Sequence, residues 1–250
     1  MVCTCKPKED ISICLAGEDA VTKIVATLKE KTTLSDKIFR LRFKCDSPFD
    51  FQPGQFINLH RQDGLVRSYS IASLPSENTV ELHIELIDNG QMSNWLRDEL
   101  QLGETVELDG PHGECFYIQG ALEQKLLLVG TGSGLAPLWG IARDALTQGH
   151  QGEIHLFHGS RETDKIYLTE ELKQLATEHS NFFYTPCISG ENIPGYTHGR
   201  ANETALEQHP KLGGWRIYLC GHPEMVNGTK KKAFLAGASF NEIYADPFNY

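Results

Sequence analysis

Residues 125–149 join a short apolar run to a glycine-rich loop and then to a helical segment. The run at 125–129 lacks the polar alternation of a half-exposed strand, which is typical of a strand buried on both faces. Glycines follow at 130, 132 and 134, and the helical pattern of 137–148 stops at Gly149. A glycine-rich loop between a buried strand and a helix is the setting in which proteins bind dinucleotide phosphates. The candidate contacts are Gly130, Thr131, Gly132, Gly134 and Pro137.

The second half of the chain alternates strands with helices. Strands are predicted at 153–158, 182–188, 216–220 and 243–245, and helices at 168–178, 203–208 and 223–235. Alternation of this kind indicates a parallel sheet covered by helices, so we expect an α/β domain over 122–250. The loop after the first strand departs from the commonest dinucleotide signature, because the next strand ends in Gly159-Ser160-Arg161 rather than in an acidic residue.

The first half has the period of an antiparallel sheet. Short strands that alternate in polarity are predicted at 22–28, 38–44, 56–60, 66–70, 79–87 and 105–109. Turn signals such as Pro53-Gly54, Asp63-Gly64 and Asn89-Gly90 separate them. Strands at this spacing favour a β-barrel over 21–121, with the domain boundary near 120–124. One helix is predicted at 94–100, with Ser93 as its N-cap.

Composition excludes several classes of protein. The formal net charge of −10 argues against a nucleic-acid-binding protein, which needs a basic face. No apolar run is long enough to cross a bilayer, and the first ten residues lack the apolar core of a secretory signal, so a cytoplasmic protein is expected. Seven scattered cysteines indicate reduced thiols rather than a disulfide framework. Basic clusters at 23–44 and 230–232 are either solvated faces or a steering patch for an acidic redox partner or cofactor phosphates.

Three further motifs carry candidate site residues. The segment at 67–73 ends a barrel strand and supplies an Arg for a phosphate, a Tyr for a flat ligand and a Ser for a ring nitrogen. The segment at 89–93 leads into a helix N-terminus, whose free N–H groups suit a pyrophosphate. A third segment, Cys220-Gly221-His222-Pro223-Glu224-Met225, ends a strand of the parallel sheet, where ligands bind in such sheets.

Taken together, the R-x-Y-S, G-x-x-S, G-T-G-x-G-x-x-P and C-G-x-P-x-M motifs resemble the ferredoxin–NADP⁺ reductase superfamily. They occur in the order that this family uses, and the similarity runs from about residue 22 to 250. Within the family, the chain is most similar to NADH-dependent reductase components of bacterial multicomponent oxygenases. The resemblance implies an FAD-binding barrel followed by an NAD(P)-binding α/β domain.

The resemblance also implies a role for each motif. Arg67 would contact the FAD pyrophosphate, Tyr69 the flavin and ribityl, and Ser70 the flavin N5 edge. The FAD phosphates would lie on Gly90, Gln91, Met92 and Ser93, and a C-terminal aromatic, Phe248 or else Tyr250, would cover the flavin. Gly221 and Met225 would bind the nicotinamide nucleotide. The candidate catalytic residues are Ser70, Cys220 and Glu224.

The chemistry implied is hydride transfer from nicotinamide C4 to flavin N5, with electrons passed on to a ferredoxin-like protein or oxygenase component. NADH is slightly favoured over NADPH, with the choice expected near Ser160, Arg161 and Lys165. Two alternatives stay open. One is a flavin reductase that releases reduced free flavin, and the other is a non-catalytic FAD-binding subunit of a larger redox complex.

No metal site is expected. Residues 1–20 resemble only the tail of a plant-type ferredoxin domain, because the four-cysteine spacing that holds a [2Fe–2S] cluster is missing around Cys3, Cys5 and Cys14. His150, His155 and His158 are close in sequence, but on a strand the last two face opposite sides. We therefore expect surface histidines rather than metal ligands.

Overall fold

Two six-stranded sheets make up the protein in a computed structural model that describes residues 22–248. The first sheet is antiparallel, with the strand order β4-β3-β6-β1-β2-β5. Its strands are β1 (Thr22–Thr33), β2 (Ile38–Cys45), β3 (Phe56–His60), β4 (Val66–Ser70), β5 (Val80–Glu85) and β6 (Thr105–His112), and helix α1 (Gln91–Asp98) lies between β5 and β6.

The two edges of this sheet meet and close it into a barrel. Ile71, just after β4, forms a bridge with Leu82 of β5, and the Ala72 amide donates to the Glu81 carbonyl at 2.9 Å. Alternation decides which side chains fill the interior: Phe39, Leu41 and Phe43 of β2 are buried. Full burial of each such side chain contributes roughly 1.5–3 kcal/mol. The expected antiparallel barrel is confirmed.

The second sheet is parallel, with the order β10-β9-β8-β7-β11-β12. Its strands are β7 (Leu126–Thr131), β8 (Ile154–Ser160), β9 (Phe182–Ile188), β10 (Thr197–His198), β11 (Arg216–Gly221) and β12 (Ile243–Pro247). Helices α2 (Leu135–Thr147), α3 (Thr169–Glu178), α4 (Ala201–Gln208) and α5 (Pro223–Leu235) cover its faces. The apolar run of β7 is buried on both sides, as its composition predicts.

The connection from β7 leads to β8 on one side, whereas β11 pairs with β7 on the other. This reversal opens a crevice at the carboxyl ends of β7 and β11, which is where ligands bind in open parallel sheets. Helix α2 leaves the same point and packs on the barrel: a Cβ on Gly140 would lie 3.1 Å from Pro53 and 3.2 Å from the Ile71 carbonyl oxygen. Arg143 of α2 also donates to the Ala72 carbonyl at 2.6 Å.

Two sequence-based predictions are wrong. Helix α1 begins at Gln91 after Gly90, not after Ser93, because the Ser93 hydroxyl accepts a hydrogen bond from the Ile87 amide at 3.2 Å and so braces the preceding loop. His150 and His158 are buried rather than on the surface. The prediction that His155 and His158 face opposite sides of the sheet is confirmed. His155 stacks on Phe183 on one face, and His158 contacts the edge of Tyr167 on the other.

No helix within residues 22–248 is both long enough and apolar enough to cross a bilayer. The predictions for residues 1–20, for their cysteines and for Tyr250 lie outside the described residues.

Candidate functional site

The glycine-rich loop after β7 is packed so closely that Gly130 and Gly134 have no room for a side chain. A Cβ on Gly130 would lie 2.7 Å from Leu138, and one on Gly134 would lie 2.7 Å from the carbonyl carbon of Cys220. Gly132 has a φ of +54°, a conformation that favours glycine. Helix α2 begins directly after Gly134 with no side-chain cap. Its Leu135 N–H donates to the Gly132 carbonyl and Pro137 has no N–H, so this N-terminus offers an anion mainly the helix dipole and the backbone of the preceding loop.

The end of β11 is tied to the same loop. Gly221 has a φ of +119°, and a Cβ there would meet the Thr131 backbone and side chain. The His222 amide donates to the Thr131 hydroxyl at 3.1 Å. This bond fixes the segment containing Gly221 against the loop, so the two predicted nucleotide motifs form one surface.

A cavity of about 620 Å³ opens at this surface, and we refer to it as the nucleotide-side cavity. It is large enough to hold much of a dinucleotide. Its lining includes seven of the residues predicted from sequence: Thr131, Gly132, Ser160, Arg161, Lys165, Glu224 and Met225. The Arg161 guanidinium forms no ion pair with any of residues 22–248, which leaves it free to meet a phosphate.

An ion pair between the two sheets borders this cavity, and sequence reasoning missed its acidic half. Lys165 donates to Glu85 at 2.6 Å, and the Ser133 hydroxyl donates to the same carboxylate at 3.1 Å. Burial alone would lower the pKa of Lys165, but the adjacent Glu85 carboxylate raises it. Lys165 therefore keeps its charge, and its bond to Glu85 joins the barrel to the segment beside the glycine-rich loop.

His158 supports the loop from beneath. Its Nε2 lies 3.0 Å from the Gly132 carbonyl oxygen and donates to it. Complete burial lowers the pKa of His158 to about 4, so the ring is neutral at neutral pH and donates through one nitrogen only. A histidine near the end of a buried strand was the sequence signal. Its burial involves Tyr167, which lies nine positions further on and also contacts His83 of the barrel.

The barrel offers a second set of candidate contacts along β4. Arg67 is exposed, Tyr69 is half-buried against the barrel core, and Ser70 is 7% exposed. Close by, α1 begins after Gly90 with no side-chain cap, and Arg61 joins the β3–β4 hairpin to α1 by donating to the Gln91 carbonyl at 3.1 Å.

The α1 N-terminus has the form of an anion cradle. A Cβ on Gly90 would lie 2.6 Å from the Ser93 hydroxyl and 2.8 Å from the Ile87 Cβ, so the loop can pack this closely against the start of α1 only with glycine there. Met92 is buried in the barrel core and Ser93 braces the loop, so these two residues offer backbone N–H groups rather than side chains. The uncapped N–H groups at the start of α1, beside the Arg61 side chain, fit a pyrophosphate.

The two sheets meet at Ser70. Its hydroxyl donates to Asp246 of β12 at 3.4 Å, and Asp246 is the register partner of Cys220 in β11. Burial raises the pKa of Asp246, although the hydrogen bond from Ser70 opposes this. Phe248 lies two residues further on, and its amide donates to the Gly221 carbonyl at 2.8 Å.

Sequence reasoning missed Asp246. The available signal was an acidic residue at the carboxyl end of a parallel strand, which is where such sheets place their ligands. Of the three candidate catalytic residues, Ser70 and Cys220 lie on either side of Asp246. Glu224 lies on the first turn of α5 and lines the nucleotide-side cavity.

Comparisons with known proteins agree with this architecture. A profile for an oxidoreductase FAD-binding domain matches residues 25–117, and one for an oxidoreductase NAD-binding domain matches residues 128–231. A Ralstonia protein named as the ferredoxin–NAD(P)⁺ reductase component of naphthalene 1,2-dioxygenase/salicylate 5-hydroxylase systems is 34% identical over 247 residues, covering 98% of this chain and 74% of that protein.

The chain belongs to the ferredoxin–NADP⁺ reductase superfamily. It is an oxidoreductase with an FAD-binding and an NAD-binding domain. Among solved structures of this superfamily, the Amycolatopsis cytochrome P450 reductase GcoB superposes with a TM-score of 0.85 at 32% identity, covering 91% of this chain and 70% of that one. A probable flavin reductase from Vibrio harveyi is 30% identical over 91% of this chain and 100% of its own length.

Proposed function

We propose that this protein is an FAD-dependent NAD(P)H oxidoreductase that passes electrons on to a redox protein. The observation that carries the proposal is the meeting of Ser70 from the barrel with Asp246 beside Cys220 from the parallel sheet. A glycine-rich loop and two uncapped helix N-termini flank this junction. A flavin on the barrel and a nicotinamide on the sheet would face each other there.

Each predicted contact has a role in this proposal. Arg67 and the N–H groups of residues 90–93 hold the FAD pyrophosphate, while Tyr69 and Ser70 contact the flavin. Residues 130–137 hold the nicotinamide dinucleotide, together with Gly221, Glu224 and Met225. A flavin held by these residues would supply the redox chemistry, which is acceptance of two electrons from a reduced nicotinamide and their release one at a time.

The chain's own groups orient and shield the reacting partners. Ser70 is almost fully buried, and its hydroxyl is directed towards Asp246 by a long hydrogen bond of 3.4 Å. Asp246 holds a proton more readily than an exposed Asp because burial raises its pKa. The Phe248 amide donates to the Gly221 carbonyl and holds the chain after β12 at the junction, where an aromatic ring would limit the entry of water. Proximity and exclusion of water are the main contributions required of the protein.

The visible spectrum of the purified protein tests the proposal. We expect one FAD per chain that survives gel filtration and is bleached anaerobically by NADH or NADPH. A protein that binds no added FAD would refute the proposal. Bound FAD that neither nucleotide bleaches would indicate a non-catalytic subunit.

A second candidate, a flavin reductase that releases reduced flavin, is favoured by the similarity to the Vibrio harveyi protein over its whole length. The cradle at the α1 N-terminus speaks against it, because a substrate flavin needs no grip on a pyrophosphate. Loss of flavin on gel filtration, with activity restored by adding FMN or riboflavin, would support this second candidate.

We propose that the acceptor is an acidic iron–sulfur protein, such as a ferredoxin or an oxygenase component. In the basic cluster at 23–44, Lys23, Lys37, Arg40 and Arg42 are neutralised by ion pairs. Lys230 has no carboxylate partner within residues 22–248 and lies 4.5 Å from the ring centre of the exposed Phe240. Salt-dependent acceptor reduction that Lys230→Glu slows would support docking there.

The remaining assignments are also proposals. We take 21–121 and 122–250 as the domain limits, because the antiparallel barrel ends and the parallel sheet begins between His112 and Leu126. We propose a cytoplasmic location, for which reduced cysteines are typical; Cys45, Cys115, Cys187 and Cys220 are free thiols.

A further inference from the structure

Two buried cysteines from different parts of the chain touch beside the proposed hydride-transfer junction. The Cys115 and Cys220 sulfurs are 3.6 Å apart although the residues are 105 positions apart in sequence. Cys115 follows β6 in the segment that leads out of the barrel, and Cys220 is in β11. A covalent bond between them would therefore join the barrel exit to the parallel sheet.

Access to the pair is one-sided. A second cavity, of about 560 Å³, is lined by residues that include Gly54, Gly113, Cys115, Tyr244 and Asp246. Cys115 is 6% exposed, whereas Cys220 is fully buried behind it. A small solute that enters this cavity meets the Cys115 thiol first.

We propose that Cys115 and Cys220 are a redox-sensitive thiol pair that hydrogen peroxide converts to a disulfide. Peroxide entering the second cavity oxidises the Cys115 thiol to a sulfenic acid, and one water molecule is released. The Cys220 sulfur then attacks the Cys115 sulfur, the S–S bond forms, and the hydroxyl leaves with the Cys220 proton as a second water molecule. Peroxide is reduced and the two thiols lose two electrons and two protons in total.

The order of events follows from burial. Burial raises the pKa of Cys220 well above its ordinary value, so this thiol is a poor first target for an oxidant. The contact with Cys115 makes Cys220 the partner within reach once Cys115 is oxidised. The two sulfurs must approach from 3.6 Å to about 2.0 Å for the bond to form.

The disulfide would change the junction as well as the thiols. Cys220 is the register partner of Asp246, and its carbonyl lies against Gly134 of the glycine-rich loop. Because a displacement of 1 Å at a reacting centre costs on the order of 100-fold in rate, we expect a loss of about this size in reduction by NADH. This loss of rate rests on the proposed function, whereas the crosslink does not.

Peptide mapping of the full chain tests the crosslink. The purified protein, with its bound flavin, is treated with hydrogen peroxide, and free thiols are then alkylated before non-reducing digestion. We expect a peptide pair joined through Cys115 and Cys220 that separates on adding dithiothreitol. Treated protein without this pair would overturn the proposal, whatever its activity.

Variants connect the crosslink to activity. Cys187→Ser is the matched control, because Cys187 is buried elsewhere, in β9. Peroxide should inactivate the wild type and Cys187→Ser reversibly, while Cys115→Ser should keep the activity that it had before treatment. Equal fractional inactivation of Cys115→Ser and the wild type would refute the switch. If Cys115→Ser fails to fold, Cys115→Ala gives the same comparison, and bound flavin and circular dichroism report folding.

Discussion

Replacing Gly134 by Ala should damage the junction without changing any polar group. Gly134 has φ −61° and ψ −9°, values that alanine adopts freely, so the backbone conformation itself creates no strain. A Cβ there would lie 2.7 Å from the Cys220 carbonyl carbon and 2.9 Å from the Gly221 Cα, whereas ordinary contact begins at 3.4 Å. Since both neighbours are backbone, either the loop or the end of β11 must move by more than half an ångström.

The magnitude follows from that displacement. Overpacking of a close-packed interior costs about 1–3 kcal/mol of unfolding free energy, which corresponds to a decrease of roughly 2–12 °C in the thermal midpoint. At a reacting centre, half an ångström to one ångström costs about 10- to 100-fold in rate. Bound FAD should be unaffected, because its proposed contacts lie on β4 and α1.

The assay is stopped-flow anaerobic bleaching of the flavin at saturating NADH, together with a thermal melt and the FAD content. Gly213→Ala is the matched control: it precedes β11 at the opposite end of the strand, and the nearest atom to its Cβ would be 3.9 Å away. If Gly134→Ala kept the rate and thermal midpoint of Gly213→Ala, close packing against β11 would not be the reason for glycine at 134.

Three further predictions concern single side chains. Burial would raise the pKa of Glu81, but hydrogen bonds from His83 and Arg42 hold it at about 2, so Glu81→Gln should lose roughly 3 kcal/mol of unfolding free energy in urea at pH 7. Since the pKa of Glu81 is depressed in the folded protein, the difference in unfolding free energy between the wild type and Glu81→Gln should shrink as the pH falls from 4.5 towards 2. Burial raises the pKa of Asp246, so ionisation of this carboxyl above pH 3.8 opposes folding. Asp246→Asn should therefore be no less stable than the wild type at pH 7. The pH profile of NADH oxidation by this variant should lack the titration of Asp246. Arg161→Ala should raise the KM for NADPH more than that for NADH, and an unchanged ratio would show that Arg161 does not select the nucleotide.

Several features of the site could be predicted from sequence because they are encoded in consecutive residues. The apolar run of β7, the glycines that follow it and the alternation of β2 each reflect a local period or a local backbone requirement. Helix α5 begins at Pro223 and ends at Leu235, the predicted limits, because proline suits the first helical turn. The start of α1 was misplaced because a side chain bonded to a loop rather than capping the helix.

Sequence alone thus determined three features. These are the two patterns of secondary structure along the chain, the order of the barrel and the parallel sheet, and the glycine-rich loop between β7 and α2. Only the tertiary structure decided which distant residues meet. Ser70 and Asp246 are 176 positions apart, and their contact depends on how α2 packs against the barrel. The Cys115–Cys220 contact likewise joins residues 105 positions apart. Local propensities act over a few residues, whereas these contacts form only when two separately patterned sheets share one interface.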